Sequence, residues 1–157
     1  MIRTGIGYDV HQLAIGKKLI IAGVTIPAPF GSVGHSDGDV LIHALVDALL
    51  GAASLGDIGT HFPSKSGKWS GVSSNHFLVE SVKIVEKSGF EICNVDTTII
   101  LQKPKIKRFI PQIKNNLTDY MNIDESGISV KTTTTDYLGF IGDGNGWAAL
   151  AVATLFK

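Results

Sequence analysis

The chain reads as an α/β protein of the α+β type, a single domain over residues 1–157 with about three helices packed on one mixed sheet. Two observations predict this. Stretches rich in β-branched residues alternate with apolar segments of helical period, and 157 residues supply the core of one domain with little left for a second.

Each element has its own signal. In Ile2–Val10 the β-branched and aromatic residues favour an extended chain, and Lys18–Ile26 reads the same way. Pro27, Pro29, Gly31 and Gly34 then mark a loop through which a ligand can enter. A helix begins near Asp37 or Asp39, either of which can cap free amides, and runs to about Leu50 before Gly51. A second helix fits Ser74–Ser88, where Phe77, Leu78, Val82 and Val85 recur at helical spacing before Gly89. Glu91–Gln102 reads as a strand. Lys105–Met121 carries Phe109, Ile113, Leu117 and Tyr120 on one face and gives the third helix, with Pro111 bearing on its start or straightness. Gly127–Thr134 is a strand. Trp147–Phe156 fits strand or helix, and we assign it as a strand although Ala149 and Ala151 weaken the propensity.

Composition narrows the function classes. Hydrophobic residues make up 44% and charged residues 18%, and Lys plus Arg equals Asp plus Glu at 14 each. No global basic field argues for nucleic acid or an anionic membrane, so any anionic ligand must be held locally. The single Cys93 excludes an intrachain disulfide and a cysteine zinc cluster. No apolar run reaches the ~20 residues that span a bilayer, and the chain opens directly into a strand. A soluble, cytoplasmic protein with no membrane or nucleic-acid partner is expected.

The chemistry concentrates near the N-terminus. Asp9 and His11 are two apart on a strand end, so both project from one side, where a single cation could touch them. Carboxylate oxygen and neutral imidazole suit Zn²⁺, and His43 would make a third ligand, leaving a fourth position open as in catalytic sites. The alternative is a pair of ordinary satisfied polar groups. Asp39, His43 and Asp47 follow at i, i+4 spacing, so either Asp39 or Asp47 is a candidate to accept a hydrogen bond from the outer ring nitrogen of His43. Otherwise the three form a solvated face.

Several segments suit phosphate. Gly34-His35-Ser36-Asp37-Gly38 leads into a helix start, where free amides favour an anion, although it also reads as a plain cap. Lys131-Thr132-Thr133-Thr134-Thr135-Asp136 combines hydroxyls with a carboxylate able to hold a hard cation such as Mg²⁺, or simply forms a strand. Gln102–Arg108 is locally basic and could receive a diphosphate, or be a solvated face. The glycine-rich run Gly139–Gly146 lacks the spacing of a dinucleotide-binding fingerprint. With no G-x-S-x-G and no P-loop, and with Cys93 far from any histidine in sequence, no protein nucleophile stands out.

The segments DVH, HSDGDVLIHALVDALLGAASLGDIG, NVDTTIILQKPK and ISVKTTTTDYLGFIGDGNG resemble, in order and spacing, the 2-C-methyl-D-erythritol 2,4-cyclodiphosphate synthases of the non-mevalonate isoprenoid pathway. The resemblance covers essentially the whole chain. It implies a homotrimer with active sites between subunits, and a phosphorus–oxygen lyase that cyclises 4-diphosphocytidyl-2-C-methyl-D-erythritol 2-phosphate with release of CMP. By position it implies Zn²⁺ on Asp9, His11 and His43, and transition-state stabilisation by His35 and Thr134. It also implies methylerythritol contacts from Ser36, Asp57, Ile58, Gly59 and the loop Phe62–Ser66. The cytidine diphosphate pocket falls on Leu101–Lys107, including Pro104 and Lys105, with Thr133, Thr134 and Phe140, and Asp136 holds Mg²⁺ or Mn²⁺ between phosphates. Three positions depart from the family pattern. Asp136 stands for the usual Glu, Ser64 and Ser66 stand for acidic residues, and Asp143 and Asn145 replace an Arg and a Glu. The resemblance therefore does not imply a central isoprenoid diphosphate site here.

Overall fold

The computed structural model describes residues 1–34, 36–69 and 71–157. Its frame is a five-stranded mixed sheet in the order β4-β1-β7-β5-β6. These strands are β1 (Ile2–Ile15), β4 (Phe30–Ser32), β5 (Glu91–Ile100), β6 (Ile128–Thr133) and β7 (Gly146–Phe156). Only β5 and β6 run parallel; the other neighbours are antiparallel. The ambiguous C-terminal segment is a strand because it lies between β1 and β5, where its small alanines face α1 (Val40–Ala52).

Three differences from the sequence expectation concern turns. Lys18–Ile26 is not one strand but a hairpin, β2 (Leu19–Ile21) and β3 (Val24–Ile26), reversed at Ala22 and Gly23, both at positive φ. β1 continues past Val10 to Ile15 because its last residues pair with β4, inside the segment expected to be loop. The helices number five among the described residues rather than about three. Besides α1, α3 (Ser74–Lys87) and α4 (Ile110–Met121), there are single turns at α2 (Ile58–His61) and α5 (Gly139–Gly142), too short to show a period. Pro111 does not kink α4. It sits in the first turn, where its missing N–H costs nothing, and a 3₁₀ turn at Lys107–Phe109 precedes it.

Helix α1 is the centre of the core. Apart from His43, Asp47 and Gly51, spaced by four, its residues are buried. A helix apolar on nearly all sides belongs inside a domain, and α1 packs against β1, β7 and α3. The alternation of β1 makes this packing close. Gly5 and Gly7 face α1, and a Cβ on either would overlap the backbone carbonyl of Ala48 or Ala44. Asp9 and His11 continue that face, while Ile2, Thr4, Ile6, Tyr8 and Val10 point to the opposite, exposed side.

Candidate metal centre and active site

The glycine contacts bring α1 down onto β1, so His43, one turn into the helix, arrives beside the two polar residues of the strand. Asp9 Oδ2 lies 3.1 Å from His11 Nε2 and 3.1 Å from His43 Nδ1. One donor atom from each residue lies within 4.8 Å of the others, a set that could hold a metal ion. The donor chemistry fits, with one carboxylate, two imidazoles and no fourth protein ligand in the cluster among the described residues.

The electrostatics match a site built for a cation. Burial alone would raise the Asp9 pKa, but hydrogen bonds and charge from His11 and His43 reverse this and hold the carboxyl well below the usual range. The Asp9 carboxylate raises the pKa of His11 against the opposing effect of burial. His11 Nδ1 lies 3.0 Å from the carbonyl of Val33. A carbonyl only accepts, so Nδ1 donates and Nε2 is left for a ligand.

Neither carboxylate expected beside His43 performs that role. Asp39 is fully buried as the N-cap of α1, accepting from Ile42 N at 3.2 Å and from Gly23 N of the β2–β3 turn at 2.9 Å. Asp47 Oδ1 accepts from Ile58 N at 2.8 Å and anchors the start of α2. Spacing of four placed both near the imidazole, but each carboxylate is drawn to unpaired amides at an element start. The outer nitrogen of His43, Nε2, meets Ser74 Oγ at 3.0 Å and Ser36 Oγ at 3.3 Å. Sequence reasoning missed Ser74, since it comes from the first turn of α3, 31 residues away, and no local pattern announces it.

The remaining expected residues fall into two groups. Ser36, Ile58, Gly59 and Phe62 line a cavity of about 440 Å³ together with His11, His43, Lys65 and Trp69. Asp57 caps α2 at its edge, and its bonds from Thr60 lower its pKa. Ser66 belongs to the 3₁₀ turn Ser64–Ser66, whose Ser64 and Lys65 do line the cavity. Leu101, Pro104, Lys105, Thr133 and Thr134 line a second cavity of about 300 Å³, between the ends of β5 and β6. Thr134 Oγ1 donates to Asp136 Oδ1 at 3.2 Å, and Asp136 holds a positive φ in the turn that follows. Phe140 lies half exposed in α5. His35 lies outside the described residues.

A pairing row crosses the sheet from one group to the other, with Asp9 opposite Ala149, Ala149 opposite Ile99 and Ile99 opposite Thr132. Three strand spacings, roughly 14 Å, therefore separate the metal cluster from the threonine segment.

The model of the YgbB family matches residues 2–156. The chain belongs to the YgbB family. A relative from Alkaliphilus oremlandii named 2-C-methyl-D-erythritol 2,4-cyclodiphosphate synthase is 50% identical over 155 residues, covering 99% of both chains. Among solved structures, a Plasmodium falciparum IspF in complex with CDP superposes with a TM-score of 0.87 at 38% identity, covering 99% of this chain and 96% of its own. The bifunctional IspDF of Campylobacter jejuni gives a TM-score of 0.95 at 42% identity; the present chain matches over 99% of its length but spans 42% of that longer one.

Proposed function

We propose that the chain is a 2-C-methyl-D-erythritol 2,4-cyclodiphosphate synthase, converting 4-diphosphocytidyl-2-C-methyl-D-erythritol 2-phosphate to the 2,4-cyclodiphosphate and CMP. The observation that carries this is the convergence of Asp9, His11 and His43 in a chain half identical, end to end, to a relative of that name. An oxygen of the substrate's 2-phosphate attacks the β-phosphorus, and the bond from that phosphorus to the oxygen bridging to the α-phosphate breaks, so CMP leaves with the electron pair. No water is consumed and no protein nucleophile is needed.

What the chain supplies is position and charge. Asp9 Oδ2, His11 Nε2 and His43 Nδ1 would hold Zn²⁺, which supplies Lewis-acid stabilisation of charge building on the phosphates. Ser36, Asp57, Ile58, Gly59, Phe62 and Ser66 hold the methylerythritol part; Asp57, an acceptor-only carboxylate braced by Thr60, suits a polyol hydroxyl. Leu101, Pro104, Lys105, Thr133 and Phe140 hold the cytidine diphosphate. His35 and Thr134 donate to the phosphoryl oxygens as charge develops, and Asp136 would help hold Mg²⁺ or Mn²⁺, which would offset phosphate charge.

The side of the sheet away from α1 exposes Ile6 at 71% and Tyr8 at 52%, with Ile2 and Val10 on the same strand and Leu150 and Phe156 on the neighbouring β7. A face this apolar favours burial against other copies, and a homotrimer would let the cytidine-binding cavity of one subunit adjoin the metal cluster of the next. Whole-chain residues 1–157 then act as one catalytic domain within the trimer. No helix among the described residues is long and apolar enough to cross a membrane, which agrees with a cytoplasmic enzyme.

The test is product analysis. Incubated with the diphosphocytidyl substrate, the protein should yield the two coupled ³¹P signals of the cyclic diphosphate together with CMP. Open-chain phosphates alone would mean hydrolysis and overturn the assignment. Native mass spectrometry should give three times the chain mass.

A further inference from the structure

We propose that Ser74, locked by Asp37, is a positioning residue that keeps the proton of His43 on Nε2 and so leaves Nδ1 free to ligate metal. Ser74 is wholly buried, and its Oγ makes a short hydrogen bond to Asp37 Oδ1. A carboxylate only accepts, so the single hydroxyl proton of Ser74 is committed to Asp37. Toward His43, 3.0 Å away, Ser74 Oγ can then act only as an acceptor, which places a hydrogen on Nε2. The opposite ring nitrogen, Nδ1, lies 3.1 Å from Asp9 Oδ2 at the metal position, where a bound cation takes the place of any proton shared with that carboxylate.

Asp37 is itself immobilised. Its Oδ2 accepts from Ser73 Oγ and from the backbone N of Ser74, each at 3.0 Å, and its Oδ1 also accepts from Asp39 N at 3.2 Å. The carboxylate thus ties the start of α3 to the segment leading into α1. Ser36 Oγ, 3.3 Å from both His43 Nε2 and Ser74 Oγ, closes the cluster on the cavity side. The carboxylate behind His43 is therefore Asp37, reached through a serine, and not Asp39 or Asp47.

The proposal rests on the reading of Asp9, His11 and His43 as a metal site, and two measurements keep the two apart. Zinc affinity of the full-length protein is measured by competition with a chromogenic chelator for wild type and Ser74→Ala. Alanine leaves Asp37 its bonds from Ser73 and the Ser74 backbone, and the affinity should fall about 10- to 100-fold, the usual effect of losing an outer hydrogen-bond partner. Equal affinities would overturn the proposal, whereas a wild type that binds no zinc would overturn the metal reading. In zinc-free Asp9→Ala, where no carboxylate competes for a proton on Nδ1, long-range ¹H–¹⁵N spectra at a pH above the imidazole range should show His43 as the Nε2–H tautomer, with the Nδ1–H form rising when Ser74→Ala is added. The Nδ1–H form predominating in Asp9→Ala would overturn the proposal even if the double variant failed to fold.

Discussion

Gly7 lies against the backbone carbonyl of Ala44 so closely that a single methyl group on the strand residue has no room. Ala44 adjoins His43, so the contact sets the distance between the helix that carries one imidazole and the strand that carries Asp9 and His11. Gly7→Ala should push α1 outward, lower stability by about 3 kcal/mol as overpacking does, and weaken metal binding. Urea unfolding with metal analysis checks this; an unchanged midpoint and full metal content would show that the helix shifts without consequence.

His43→Ala should strip bound zinc and abolish turnover, because two ligands rarely hold the ion tightly. The loss should exceed the roughly 10- to 100-fold expected from removing an outer hydrogen-bond partner. Assembly should persist, since His43 is one of the few positions of α1 outside the core. Metal analysis and native mass measurement of the purified variant read both halves, and full zinc content would sink the ligand assignment.

Asp136→Asn removes one formal charge from the shell of a second cation while preserving size. Half-saturation of activity by Mg²⁺ should move to higher concentration, with zinc content unchanged. A superimposable Mg²⁺ titration would remove Asp136 from the list of ligands.

Burial raises the pKa of Asp39 from 3.8 to about 6, the donors Gly23 and Ile42 opposing the shift and Asp37 adding to it. The folded state therefore holds this proton more tightly than the unfolded chain. Its stabilising contribution is fully present below pH 3.8 and is lost as pH rises toward about 6, on the order of 3 kcal/mol at ~1.4 kcal/mol per pH unit. Asp39→Asn does not titrate. The stability of wild type relative to Asp39→Asn should fall between pH 4 and pH 6 in urea titrations of metal-free protein, and a constant difference would contradict the shift.

What the sequence displayed best was whatever one period could encode. Asp9 and His11 share a strand face because side chains alternate, and the run from Val40 to Leu50 is helical because its apolar residues leave only His43 and Asp47 aside. Less legible were features decided by distant partners. Residues 11–15 are strand because β4 and β7 pair with them, and the hairpin at Ala22–Gly23 carries a weaker turn signal than Asn-Gly would. Asp39 and Asp47 shared a stripe with His43 yet found backbone amides instead, whereas Ser74 reached His43 from another helix. Single turns such as Ile58–His61 are shorter than any periodicity can register.

Strand β1 has two incompatible audiences, α1 on one side and open surface on the other. Alternation is the only thing sorting its residues between them, so the reading frame of the strand matters more than any one side chain. Deleting Tyr8 alone, with pairing to β7 kept on the N-terminal side, would turn Asp9 and His11 outward and drive Val10 into the space beneath His43. Relatives that vary in length should therefore absorb their insertions beyond Ile15, in the turn at Gly16, rather than anywhere between Gly5 and His11.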